Sequence, residues 1–215
     1  MKSYKVETID LVEKVYENIK EMILNRELIP GQKLVQEEMA IRLGVSRTPI
    51  LSAFSKLEKE WLVKSLPRRG YYINEMSREE KLNLFDIRMR LEPLGARRAA
   101  ELGTQKEKEE LLNYVNQVTE FTSITDFTIF NKHDYTFHRK IMSLSGNPML
   151  NMMISSYNII SLSNQDGTGF DFSKSIEGHK KIANAIMTND PDIAEEVMKQ
   201  HIKMGYDRIK GKSNS

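Results

Sequence analysis

The chain has 215 residues, a formal net charge of +2, no cysteine and 29% charged residues. That length gives room for one large or two small domains, each able to bury a core, and the lack of cysteine excludes disulfides and restricts any metal site to nitrogen and oxygen ligands. No apolar run approaches the ~20 residues of a membrane span, and Met1-Lys2-Ser3-Tyr4-Lys5-Val6-Glu7 lacks the apolar core of a signal peptide, so the expectation is a soluble, cytoplasmic protein with no membrane partner.

In chain order, Leu11, Val12, Val15, Tyr16, Ile19, Met22 and Ile23 have the spacing of an amphipathic helix. Leu28-Ile29-Pro30-Gly31 follows as a turn, and Gln36 to Leu43 carries Met39, Ala40 and Leu43 on one face of a second helix. Gly44 supplies a tight turn, where a left-handed backbone costs little. Ser46 fits an N-cap and Pro49 the first turn of a third helix, whose apolar face is Ile50, Leu51, Phe54 and Leu57. Two short helices joined by a glycine turn, with Ser46, Arg47 and Thr48 opening the second, have the layout of a DNA-reading helix-turn-helix. Trp61-Leu62-Val63 and Tyr71-Tyr72-Ile73 then flank Pro67-Arg68-Arg69-Gly70 as a basic hairpin, a wing. Residues 42–69 hold seven Lys/Arg against two Asp/Glu, whereas residues 77–215 hold 19 of each sign. The basic patch therefore coincides with the proposed DNA reader.

The rest of the chain reads as helix. Ser77-Arg78-Glu79-Glu80 is a capping box opening a long helix to about Leu102, in which Pro93 predicts a kink or break. Thr104-Gln105-Lys106-Glu107 is a second capping box, before a helix with Leu111, Leu112, Val115 and Val118. Further helices are expected over Asp126 to Leu144, stopped by Gly146-Asn147-Pro148, and over Met149 to Leu162. Asn164-Gln165-Asp166-Gly167-Thr168-Gly169 reads as a loop, followed by helices from Phe172 to Thr188 and Pro191 to Ile209. The fold expected is mainly α: a winged helix-turn-helix with a small β-hairpin over 1–76, then an all-helical bundle over 77–215.

A bundle core can host a ligand or metal between facing helices. Asp134 and His138 are four residues apart, so they share a helix face. With His179 and His201 on two later helices they would offer one carboxylate and three imidazoles, a set suited to Zn, Ni or Mn. His133 is rotated by about 140° from His138 and is expected to lie outside the cluster. The plainer readings are a surface i,i+4 ion pair and structural histidines.

Residues 30–70 resemble the winged-helix domain of the GntR family of bacterial transcription regulators. The family's proline-glycine, its leucine-glycine-valine-serine-arginine-threonine-proline run and its arginine-glycine wing are matched by Pro30-Gly31, Leu43 to Pro49 and Arg69-Gly70. Leu51 stands where the family commonly has a DNA-contacting arginine, and Gln36-Glu37 where a glutamate and often an arginine are found. Arg88-Met89-Arg90-Leu91-Glu92, Asp134-Tyr135-Thr136-Phe137-His138, Gly146-Asn147-Pro148, His179 to Ile186 and His201 resemble the FCD ligand-binding domain of the family's FadR branch. That resemblance implies a divalent metal on Asp134, His138, His179 and His201, and an effector cavity into which Arg88 points.

The function expected is a ligand-responsive repressor that binds a double-stranded DNA operator through Ser46, Arg47, Thr48, Arg68, Arg69 and Gly70. It would act as a homodimer on an imperfect palindrome, since one winged helix covers only a short half-site, with a small organic acid as effector. Two alternatives remain at this point: a metal-dependent helical-bundle hydrolase, and a helical interaction module with incidental histidines.

Overall fold

In the computed structural model, which describes residues 7–120, 127–156, 162 and 171–211, the chain divides into two units, Met1–Glu75 and Met76–Ser215. The first is built on α1 (Glu7–Leu24), α2 (Gln36–Leu43) and α3 (Arg47–Lys59). Val15, Tyr16 and Ile19 of α1 are buried with Ile50, Ala53, Phe54 and Leu57 of α3, so the two apolar stripes form one core. Gly44 ends α2 at φ 65°, with its N–H turned back to carbonyls of the helix. Ser46 occupies the N-cap of α3 by backbone geometry, but its hydroxyl makes no capping hydrogen bond.

Three short strands, β1 (Lys33–Leu34), β2 (Val63–Leu66) and β3 (Gly70–Ile73), pair antiparallel in the order β1-β3-β2. The hairpin is the expected wing, with Val63 opposite Ile73 and Leu66 opposite Gly70. Its first strand begins at Val63 rather than Trp61, because Trp61 has a φ of 62° and belongs to the turn leaving α3. Strand β1 was not anticipated. The sheet rests on the helices through Phe54 and Tyr71, whose rings lie 5.2 Å apart.

The second unit comprises α4 (Arg78–Leu102), α5 (Gln105–Glu120), α6 (Phe127–Leu144), α7 (Pro148–Ser156), α8 (Phe172–Met187) and α9 (Pro191–Gly211). Both capping boxes form. Ser77 accepts from the Glu80 N–H at 3.2 Å while the Ser77 N–H donates to Glu80 Oε2 at 2.7 Å, and Thr104 and Glu107 make the same exchange. The break expected at Pro93 does not occur, and α4 runs unbroken. Proline in a helix interior costs ~3 kcal/mol, and packing of α4 along α9, α6 and α8 outweighs it. Met149 to Leu162 is helical over Pro148–Ser156 and at Leu162; residues 157–161, and the loop expected over Asn164 to Gly169, lie outside the described residues.

Two glycines set how closely these helices meet. A Cβ on Gly95 would run into the flexible end of Met142, and one on Gly205 into the more rigid ring of Phe85. Their lack of a side chain lets α4 approach α6 and α9. At one end of the bundle Arg78 donates from Nε to the Ile209 carbonyl at 3.1 Å. At the other, Lys108 reaches the Ala100 carbonyl at 2.6 Å and also Asn189, tying the end of α4 to the α8–α9 turn.

Candidate metal centre and nucleic-acid interface

Helix spacing places Asp134 and His138 on the inward face of α6, one turn apart, opposite His179 of α8 and His201 of α9. All four side chains are buried. Each offers one ligand atom, and the four atoms lie within 4.8 Å of one another. Among the described residues this is the one such group. His179 Nε2 lies 3.3 Å and His138 Nε2 3.6 Å from Asp134 Oδ1. Neither nitrogen makes a well-formed hydrogen bond there, nor does His201 Nδ1. Buried polar atoms are nearly always satisfied, so three orphaned imidazole nitrogens around one carboxylate fit a cation between them.

The close assembly depends on Gly178. A Cβ at that position would stand 2.6 Å from His201 Nδ1. The ring of His179 is further fixed by stacking on Phe137, with centroids 4.0 Å apart.

Behind the cluster lies a residue the sequence reading did not assign. Glu92 of α4, fully buried, has Oε2 2.5 Å from His138 Nδ1, and its Oε1 accepts from Arg88 Nε at 2.5 Å. Burial would push its carboxyl up, but the charges of Arg88 and then His138 overcome this and hold it at about 2. Burial likewise opposes charge on His138, yet Glu92 and Asp134 outweigh it and raise that imidazole to about 9, so a cation taken up at its Nε2 would displace the proton there. Asp134 resists its own burial in the same way and stays well below the usual carboxylate range, drawn down by His138 and His179. Burial lowers both His179 and His201, leaving them in the neutral form that ligates metals. A carboxylate on the far ring nitrogen is the arrangement that fixes the tautomer and orientation of a metal-ligating histidine.

A cavity of about 420 Å³ opens onto the cluster, lined by Phe85, Arg88, Asp134, Ser175, His201 and Arg208 among others. Arg88 therefore does line the cavity, with its Nε already engaged by Glu92. His133 points elsewhere, its Nδ1 2.9 Å from the Tyr114 hydroxyl of α5.

The other candidate residues lie in the first unit. Ser46, Arg47 and Thr48 open α3 and are exposed, as are Arg68, Arg69 and Gly70 at the wing tip. Arg68 has φ 63° and Gly70 φ 90°, which turns the chain between β2 and β3. Arg47 is paired with Glu37 of α2 at 2.7 Å; both are more than half exposed, so this contact holds the guanidinium only weakly.

Comparison with known proteins accounts for both units. The FCD domain profile matches residues 83–204, and that of the bacterial regulatory proteins of the gntR family matches residues 11–73. The chain belongs to the GntR family and carries an FCD domain. It is 26% identical over 195 residues to the HTH-type transcriptional repressor RspR of Escherichia coli K12, spanning 89% of this chain and 85% of that protein. It is 28% identical over 226 residues to the HTH-type transcriptional regulator YcbG of Bacillus subtilis, spanning 97% and 95%. Among solved structures, a GntR regulator from Rhodococcus sp. RHA1 superposes with a TM-score of 0.80 at 21% identity, covering 94% of this chain and 99% of that one, a likeness of fold. This GntR-family chain is a DNA-binding transcription regulator, and the hydrolase reading finds no support in its relatives.

Proposed function

We propose that the chain is a cytoplasmic repressor that binds its operator as a homodimer and responds to a small organic acid held at a metal in the helical domain. In this reading residues 1–76 contact DNA, through Ser46, Arg47 and Thr48 of α3 and through Arg68, Arg69 and Gly70 of the wing, while residues 77–215 carry effector binding and dimerisation. The observation that carries it is the buried quartet Asp134, His138, His179 and His201, with ligand atoms inside 4.8 Å and imidazole nitrogens without partners, opening onto a 420 Å³ cavity.

A divalent ion of the zinc, nickel or manganese type would supply charge and open coordination positions for carboxylate oxygens. The chain's own residues do the rest. Glu92 holds the His138 ring in register, Gly178 leaves room for His201, and Arg88 presents a cation beside the cavity whose charge Glu92 partly offsets. The four ligands come from three helices, and Arg88 from a fourth. Occupancy therefore favours one packing of α4, α6, α8 and α9, and a ligand shifts an equilibrium only through such differential contacts. Helix α4 follows β3 of the wing after four residues, 74–77, which gives the packing change a short path to the DNA-binding unit.

The test is a thermal-shift and metal-content measurement with a panel of small carboxylic acids, with and without each divalent ion, alongside operator binding. The expected result is bound metal, stabilisation by an acid only in the metal-loaded protein, and altered DNA affinity in that state. A wild-type protein purified without chelator that contains no metal and refuses added zinc, nickel and manganese would overturn the metal reading. Metal without acid-dependent stabilisation would reduce the ion to a staple of the bundle.

A further inference from the structure

We infer that Leu51 reads the 5-methyl group of a thymine in the major groove and so sets part of the operator sequence. The inference goes beyond the family assignment and rests on the reading that α3 is the helix that enters the groove. Its basis is the division of α3 into two faces. At about 100° per residue and measured from Arg47, the buried residues Pro49, Ala53, Leu57, Ile50 and Phe54 fall between about 200° and 340°. The exposed residues Leu51, Ser55, Thr48, Lys59 and Ser52 fall between about 40° and 140°. Leu51 thus sits inside the exposed arc, 38% accessible, one turn beyond Arg47. The sequence alone had suggested that it joined the apolar face; the structure turns it outward.

Its nearest neighbours on that arc, Thr48, Ser52 and Ser55, are short and polar, and the long side chain of Lys59 begins about two turns further on. Ser52 and Ser55 reach less far, so in the second turn Leu51 stands proud of the face as an apolar knob. Of the groups that base pairs display in the major groove, the thymine methyl is the apolar one; the others are hydrogen-bond donors and acceptors. A leucine pressed onto a donor or acceptor would strip its water and return no hydrogen bond, which is unfavourable. Against a methyl group the same side chain gains by burying apolar surface on both sides. Leu51 lies about 6 Å along the helix from Arg47, and base pairs are spaced by about 3.4 Å. The thymine it selects should therefore lie one or two steps from the base pair nearest Arg47.

The experiment uses the full-length chain and a pool of random-sequence duplexes, enriched by repeated binding and sequenced. In an enriched duplex each thymine is replaced in turn by deoxyuridine, which removes the methyl group and leaves pairing intact. The expected result is one thymine in each half-site at which replacement weakens binding about fourfold, the worth of one buried methyl. Leu51→Ala should lose that sensitivity, while Arg47→Ala should keep it at reduced affinity. Because Leu51 is exposed, the substitution leaves the core of α3 intact. Uracil tolerated at every position, or a penalty of equal size in Leu51→Ala, would overturn the inference. If no duplex is enriched, or if Arg47→Ala binds as tightly as the wild type, the assignment of α3 as the reading helix fails and the role of Leu51 fails with it.

Discussion

The two units solve the problem of building a site in opposite ways. The nucleic-acid face proposed for the first lies on consecutive or nearby residues, Ser46 to Thr48 and Arg68 to Gly70, all exposed and held by local turn and cap geometry. The centre of the second brings together Asp134, His138, His179 and His201 with Glu92 behind them, across more than a hundred residues of chain, all of them buried. An exposed site tolerates unbalanced charge because water and salt screen it. A buried one must offset its charges inside the protein, as Arg88 does for Glu92, and the loosely held Asp134 and His138 leave room for a cation to complete the balance. The difference teaches where each unit is fragile: the first through single contacts to a partner, the second through the packing that makes its ligand atoms converge.

The largest effect expected follows from removing a ligand. His179→Ala or His201→Ala should strip the metal and abolish the effector response, while Arg47-dependent DNA binding survives. Metal analysis of the purified variants together with operator binding checks both halves. A variant that retains metal at wild-type affinity would show that the convergence seen around Asp134 is not a coordination site.

Next comes the support of that site. Glu92→Gln keeps the size of the side chain and removes the charge beside His138 Nδ1, and loss of such a carboxylate–histidine partner typically costs about 10–100-fold in metal affinity. Gly178→Ala should act comparably by pushing His201, whose Nδ1 a Cβ would meet at 2.6 Å. Competition with a metal-sensitive dye reads both; unchanged affinity in Glu92→Gln would mean that His138 is held by its packing alone.

The same contrast governs what the sequence disclosed. Helix ends were legible because Ser77, Glu80, Thr104 and Glu107 act over three residues, and the wing because Pro67 to Gly70 carries its own turn chemistry. The residue types of the buried quartet could be named, since Asp134 and His138 share a helix face by spacing alone. That His179 and His201 converge on them is fixed by how α8 and α9 pack, which no local pattern encodes. Glu92 was overlooked for the same reason. Its i,i+4 spacing from Arg88 was readable, but its second partner, His138, lies on another helix. Strand β1 is two residues long and exists through pairing with Tyr71 and Tyr72, so it had no periodicity to detect. Leu51 joins the apolar face of α3 by residue type, but its angular position puts it on the exposed one.

At the exposed site, Arg47→Ala should weaken operator binding by ~1–3 kcal/mol if the guanidinium forks onto a base edge. Titration against an enriched duplex and against unrelated DNA separates a base contact from a phosphate contact. Equal losses on both would make Arg47 a backbone contact and move the reading of sequence to other residues of α3.

The smallest change expected is at the wing, and it separates the two units most cleanly. Arg68 and Arg69 sit at an exposed hairpin tip, where each can neutralise one phosphate or enter a groove. Replacing either by alanine should weaken binding modestly at moderate salt and reduce the slope of log affinity against log salt by about 1, the signature of one fewer counterion released. The loss should therefore be largest at low salt and shrink as salt rises. Metal affinity at the buried quartet should follow salt far less steeply, because its charges face one another inside the protein rather than solvent. Measuring DNA affinity across a salt series for wild type, Arg68→Ala and Arg69→Ala, and metal affinity across the same series, tests both sides of the contrast. An unchanged slope in both wing variants would take the hairpin off the DNA and leave α3 as the whole of the contact surface in the first unit.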